Sequence, residues 1–358
     1  MTGQTAPQGQ QPTAPPDLDA LLVVQAATLL TLEAGSAYAA SASLRRALAA
    51  FARDANRRWI VAGASPVSAQ ALRESDREHL TQALVMQLRQ VAASTGRDLG
   101  PILRGEAEKA LELGAQHAGQ QIGLAIDAAE LALDDTARGL IEATPQAAVS
   151  HLLRAAGQLQ RARSGLDLQA AIAEAHRATA AVDTGSTYLT NHVANDAARQ
   201  VAVRFGEKLL WIAERDACVV CLKLAGELAD PNEGIGFDEF ATYGPYEPPS
   251  VWPYGMPLMR PPRHPHCRCQ VCVWLGSAPG QPDLPQRLRH EAARSILKGW
   301  SLPSESRTMR LRAAQKLLAG GGRGLPRSVQ EEAARAVASG RFKSREVPHH
   351  KPKEKHHV

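Results

Sequence analysis

Aromatic side chains are in short supply in this 358-residue chain: five Phe, five Tyr and five Trp, 4% of the total. A core for about two or three domains must then be built from Ala, Leu and Val, which the 44% apolar fraction supplies. Close-packed small residues suit helix against helix better than sandwiches or barrels, and the same fraction excludes disorder throughout. Long hydrophobic runs are missing as well. The most apolar early stretch, Leu21 to Leu30, is interrupted by Gln25 and falls short of the ~20 residues a membrane span needs, so neither a transmembrane segment nor a membrane partner is expected. Met1 to Pro16 has no positive charge and no apolar stretch, which excludes a secretory signal there and sets the expectation of a protein that stays in a cytoplasm.

Cysteine is scarcer still. The five residues are an odd number, all between Cys218 and Cys272, whereas a disulfide framework would spread them along a small secreted domain. Clustering of this kind indicates metal binding in a reducing compartment. The net charge of +5 is mild but unevenly placed: residues 278–358 hold 17 Lys+Arg against 7 Asp+Glu, and residues 1–277 hold 24 against 29. An acidic body carries a basic end.

Residues 1–16, polar and Pro-rich, are expected to be a disordered tail. A helical region follows over 17–100. It is Ala/Leu-rich from Leu18 to about Ile60, with a break expected near Gly35-Ser36. Ser65-Pro66 then forms a helix start, Leu72, Leu80, Leu84, Leu88 and Val91 line one face, and Gly96 ends the helix. A new helix is expected from Pro101 to about Ala125, another after Thr144-Pro145 along Val149, Leu152, Ala156 and Leu159, and more over 167–182 and 187–205. Core packing accounts for each of these stripes.

The texture changes after Gly206. Lys208 to Ala213 alternates like a strand, and Gln270 to Leu275 resembles a closing one. Between them, residues 231–265 hold nine of the 23 prolines together with Phe237, Phe240, Tyr243, Tyr246, Trp252 and Tyr254. This stretch is expected to be an ordered loop that lays its aromatics on a surface, its own domain's or a partner's. Arg287 to Trp300, Ser304 to Ala319 and Ser328 to Ala338 are expected to be basic helices, and Gly340 to Val358 a disordered basic tail. The fold class expected is mainly α, with a small α+β zinc-knuckle module whose short strands surround the Cys/His cluster at 207–277.

That cluster carries the chemistry. Cys218-Val219-Val220-Cys221 places two thiols on one tight turn where both can face a cation, and His264-Pro265-His266-Cys267-Arg268-Cys269-Gln270-Val271-Cys272 offers the second half of a tetrahedral site. The metal-ligand set is Cys218, Cys221, His264, Cys267 and Cys269, of which four bind. Cys218 and Cys221 are the first pair, and Cys267 with Cys269 completes it unless His264 replaces one of them. Cys272, on the strand, is expected to be a buried thiol and His266 a solvated loop residue. Free core thiols are the alternative to a metal site. Four protein ligands leave no place for water, so the cofactor expected is structural zinc and no catalytic residue is assigned.

The order of Trp211, Asp216, Cys218-x-x-Cys221, Ala225-Gly226, a loop, Pro261-Pro262-Arg263-His264-Pro265-His266-Cys267-Arg268-Cys269 and a strand resembles the phage Mu protein F-like family, head-morphogenesis or minor capsid proteins of tailed bacteriophages. The resemblance covers roughly residues 101–277, leaving 278–358 as a basic extension. It implies a non-enzymatic virion component present in few copies, assembled in the host cytoplasm and located in the capsid interior or at the portal vertex. The partners it implies are the portal and other capsid proteins, with packaged DNA met through the basic C-terminal end. Two other functions remain open. In a zinc-dependent nuclease or hydrolase, His264 or His266 with Asp216 or Asp230 would keep an open metal position. A DNA-binding protein would act through the basic end. No His-Glu-x-x-His stands on a helix, and Gly320 to Gly324 has no strand before it and no Lys-Ser/Thr after it.

Overall fold

The computed structural model describes residues 18–69, 71–233, 260–262, 264, 267–276 and 283–348. It is 73% helix, with one three-stranded antiparallel sheet in the order β2-β1-β3. Four long helices make the body: α1 (Leu18–Val61), α2 (Glu74–Ile122), α3 (Asp135–Arg161) and α4 (Gly165–Phe205). The sheet follows as β1 (Lys208–Ile212), β2 (Leu228–Ala229) and β3 (Gln270–Trp274), with the short helix α5 (Val219–Leu224) after β1. Helices α6 (Leu284–Lys298), α7 (Arg307–Ala319) and α8 (Arg327–Ser339) complete the described chain.

The helices are fewer and longer than their punctuation suggests. Helix α1 runs unbroken through Gly35-Ser36 because Ser36 is buried and donates to Glu106 Oε2 on α2 at 2.7 Å. Helix α2 spans 49 residues, about 70 Å, and contains both Gly96, expected to end a helix, and Pro101, expected to start one. An interior proline costs ~3 kcal/mol. Burial of Leu99, Leu103 and Ala107 on the same helix offsets it at ~1.5–3 kcal/mol for each large side chain. Ser65-Pro66 does not start α2. It sits in a turn strapped to the beginning of α4 by Leu72 N–H to the Arg163 carbonyl at 3.1 Å and Leu166 N–H to the Ser68 carbonyl at 3.2 Å, so Leu72 packs on the core from outside the helix.

Thr144-Pro145 likewise lies inside α3, whose start is capped by Asp134 accepting from Ala137 N–H at 2.8 Å. The expected helices over 167–182 and 187–205 are one helix, opened by a capping box between Ser164 and Asp167. Small residues bring α2 and α4 together: a Cβ on Gly114 would fall 2.3 Å from the Ala194 carbonyl oxygen and 2.7 Å from Ala197 Cβ. Leu48, Phe51, Trp59, Leu84, Leu88, Leu103, Leu152 and Leu168 fill the shared core.

A second core forms around the sheet, contiguous with the C-terminal ends of α2 and α4 and with α5 through α8. The helices read as a basic extension therefore share a core with the cysteine module. Gly340 to Pro348, expected to be disordered, are tied to the fold at two points. Phe342 lies against Gly299, and Arg345 donates to Ser301 Oγ at 2.8 Å and to the Leu302 and Glu305 carbonyls at 2.6 and 2.7 Å. The expected tails, residues 1–16 and the end from His349, lie outside the described residues, as does the aromatic stretch with Phe237, Phe240, Tyr243, Tyr246, Trp252 and Tyr254.

Helix α1 buries several polar residues among its apolar ones and exposes apolar ones. Between Asp19 and Arg45 its only charged residue is Glu33. Glu33 is buried with Gln25, Ser36 and Ser41, while Val23, Val24 and Tyr38 are 71%, 59% and 70% exposed. Among the described residues it is the one helix long and apolar enough, by length and composition alone, to cross a membrane. Its buried polar side chains are engaged within the fold. Gln25 donates to the His117 carbonyl at 3.1 Å and to Gln120 Oε1 at 3.0 Å, and Glu33 accepts from Asn191 Nδ2 at 2.8 Å.

Candidate metal centre

Strand β1 leads out of α4, and α5 begins at the residue after Cys218, so Cys218 is the N-cap of a six-residue helix and Cys221 lies on its first turn. The i, i+3 spacing on that turn brings the two thiols together. The chain then turns back through Ala225-Gly226 into β2. Gly226 has φ +79° and a Cβ there would lie 2.1 Å from the Pro285 carbonyl oxygen, so the first turn of α6 rests on a position only glycine can occupy. The second half of the motif returns just before β3. A Cys267 N–H bond to the His264 carbonyl at 2.9 Å shapes the return.

Four thiols and one imidazole converge. Cys218, Cys221 and His264 have donor atoms within 4.8 Å of one another, and so do Cys221, Cys267 and Cys269. His264 Nε2 is 3.2 Å from Cys218 Sγ and 3.3 Å from Cys221 Sγ, and Cys221 Sγ is 3.7 Å from Cys267 Sγ. The last distance is far too long for a disulfide and close to the ~3.8 Å edge of a tetrahedron with ~2.3 Å metal–sulfur bonds. All five cysteines are free thiols. The residues expected as ligands are thus brought together, and the cluster can hold a metal ion.

Its protonation suits that purpose. Cys218 is pulled down to about 4: a hydrogen bond from the Cys221 thiol is the largest cause, burial opposes it, and His264 and the Cys221 backbone N–H add to it. Cys221 is pushed up because it donates to Cys218 and meets Cys267 and Cys269, while burial is the main force raising Cys269. The thiols are thus pulled in opposite directions by one another, Cys218 down and Cys221 and Cys269 up, and a bound cation would favour the thiolate form of each ligand. Cys272 lies apart. It faces Leu210 across the sheet, belongs with Leu18, Leu22, Trp274 and Leu284, and burial raises it to about 12. His266 lies outside the described residues.

The carboxylates an open metal position would need are occupied elsewhere. Asp216 pairs with Arg268, and Asp230 Oδ1 accepts from the Asn232 and Glu233 amides at 2.8 and 3.1 Å. In the basic end, Arg287, Arg289, Arg294, Lys298, Arg310 and Arg327 each pair with a carboxylate, and all but Glu227 of these partners belong to the same segment, so the excess of basic over acidic residues there is nearly unchanged.

Several residues that hold this centre in place were not legible as such. Strand β3 is an edge strand, and side-chain amides of the body occupy its open side. Val271 N–H donates to Asn195 Oδ1 at 2.7 Å, Val273 N–H to Gln121 Oε1 at 2.9 Å, and Asn191 Nδ2 bonds the Cys269 carbonyl at 3.3 Å. The signal was the polar pair Asn191 and Asn195, one helical turn apart amid alanines. The segment before His264 is tied down by Arg260, which pairs with Asp134 and lies 3.0 Å from Asp196, and by Tyr188 Oη donating to the Pro262 carbonyl at 3.2 Å. Burial opposes ionisation of Asp134, but His192 and Arg260 hold its carboxyl well below the usual carboxylate range.

No family model matches this chain, and no curated protein and no solved structure matches it either.

Proposed function

We propose that this chain is a structural, non-enzymatic component of a tailed-phage head, a minor capsid protein of the Mu F-like kind, and that its Cys/His cluster is a zinc clasp. The observation that carries the reading is the convergence of Cys218, Cys221, His264, Cys267 and Cys269, five motif positions separated by up to 51 residues of chain, into one donor cluster beside the sheet, with Cys221, Cys267 and Cys269 buried and Cys218 and His264 half-buried. Thiolate and imidazole donors favour zinc over harder cations. With four protein ligands the ion would hold two chain segments together and leave no position for water.

The uncharged, exposed face of α1 supports a role inside an assembly, since contiguous apolar surface on a soluble protein marks a contact site; the portal and neighbouring capsid proteins are the partners this reading assigns. Packaged DNA is the further partner, met through the basic end, whose excess of Lys and Arg the ion pairs leave nearly intact. Proteomics on particles purified from the phage that encodes the chain tests the reading. The expected result is this polypeptide at low copy number relative to the major capsid protein. Normal heads that lack it would overturn the proposal.

A further inference from the structure

Four backbone groups flanking the first metal-ligand cysteine, at residues 215, 216, 217 and 219, are gripped by α6, α7 and the segment between them. The Arg215 carbonyl accepts from Ser295 Oγ on α6, and the Asp216 carbonyl accepts from the Leu302 N–H at 3.2 Å. The Ala217 carbonyl accepts from Arg310 on α7 at 2.7 Å. The Val219 N–H donates to Glu305 Oε1 at 2.7 Å. Glu305 and Arg310 are themselves an ion pair at 2.7 Å, with side chains 5% and 1% exposed.

The peptide groups on both sides of Cys218 are therefore fixed by one buried pair that lies 86 and 93 positions away in sequence. Burying an Arg and a Glu is costly, and both side chains are almost wholly withdrawn from solvent. Simple helix packing would be served as well by apolar side chains of similar size. What an apolar pair would not supply is a donor for the Ala217 carbonyl and an acceptor for the Val219 amide.

We infer that Glu305 and Arg310 are positioning residues for the metal centre: they set the backbone at Cys218 so that its sulfur stands in register with Cys221 and His264. The inference rests on the zinc reading above. It joins the basic end to the cysteine module functionally, since the ligand geometry then depends on α7.

The test is metal affinity of the full chain, measured by competition with a chromophoric chelator, together with the visible spectrum of the Co²⁺-substituted protein. Outer-shell partners of metal ligands typically contribute 10- to 100-fold in affinity. Arg310→Met should weaken Zn²⁺ binding by about tenfold or more and alter the Co²⁺ thiolate charge-transfer bands. Arg310→Lys should recover part of the affinity, and Glu305→Gln, which keeps an acceptor for Val219, should fall between.

Leu317→Ala, which loosens α7 without touching residues 215–219, serves as the packing control and should leave the Co²⁺ spectrum unchanged. Variants that bind within twofold of the unaltered chain, or a control that reproduces the Arg310→Met spectrum, would overturn the inference while leaving the zinc reading intact. Failure of the unaltered chain to bind either metal would overturn both.

Discussion

The four-helix body and the cysteine module solve the same problem of stability by opposite means. The body has length: helices of 44, 49, 27 and 41 residues meet along many turns, and Ala, Gly and Leu are enough because close approach multiplies small contacts. The module has strands of five, two and five residues and a six-residue helix, too little to stand on burial alone. It relies on directional chemistry, in sulfur and imidazole donors, amide side chains along an edge strand, and a buried ion pair beneath the knuckle. Small residues suffice where repetition is available, and scarce residue types gather where it is not.

Breaking the module at its centre should have the largest effect. Removing metal with a chelator, or replacing Cys221, the thiol shared by both donor triples, with Ser, should open residues 207–348 to protease while most of the far-UV helical signal of the body persists. On the proposed zinc reading the loss should amount to several kcal/mol for the module, since structural zinc binding is coupled to folding. Cys272→Ser, on the other face of the sheet, should leave metal content unchanged.

Striking the body instead should separate the two regions from the other side. Trp59→Ala removes a fully buried indole and should lower stability by about 3–5 kcal/mol, seen as a fall in Tm with metal content per chain unaltered. The joint between the regions is sensitive to less. Asn195→Ala leaves the Val271 amide without its acceptor and should cost about 1–3 kcal/mol, with faster amide exchange at β3 than in α3.

The smallest effect is a pH dependence confined to the body. Burial holds His117 down to about 4 from its ordinary 6.5, so the unfolded chain takes up a proton that the folded chain refuses. Stability from this group is complete above about pH 6.5 and falls as pH drops towards 4, by about 2 kcal/mol at pH 5. Glu33, which burial raises from 4.5 to about 7, adds stability as pH falls over the same interval, so the loss is read as a difference: in melting curves at pH 7.5 and 5 the unaltered chain should lose more stability than His117→Gln.

The residues that were legible in the sequence are those whose meaning is local. The Cys-x-x-Cys spacing and the Cys/His-rich return stand together in space, β1 falls where alternation placed it and β3 where a closing strand was expected, and the three basic helices form. Misread signals were those whose meaning depends on tertiary context. Gly96 and Pro101 would end an isolated helix, but buried Leu99 and Leu103 on either side of the proline carry α2 through. Thr144-Pro145 has the form of a cap, yet the cap is Asp134, whose carboxylate also holds Arg260. Glu305 and Arg310 are indistinguishable in sequence from the exposed charges of any amphipathic helix, and only the fold carries them to Cys218.

The central claim is that these donors close on one structural metal ion. X-ray absorption at the zinc edge on the purified full chain, with metal content determined on the same sample, tests it most directly. One zinc per chain with four sulfur or nitrogen ligands and no oxygen at bonding distance is the predicted result. A metal-free chain, or a zinc that carries a water or carboxylate oxygen in its first coordination sphere, would contradict it.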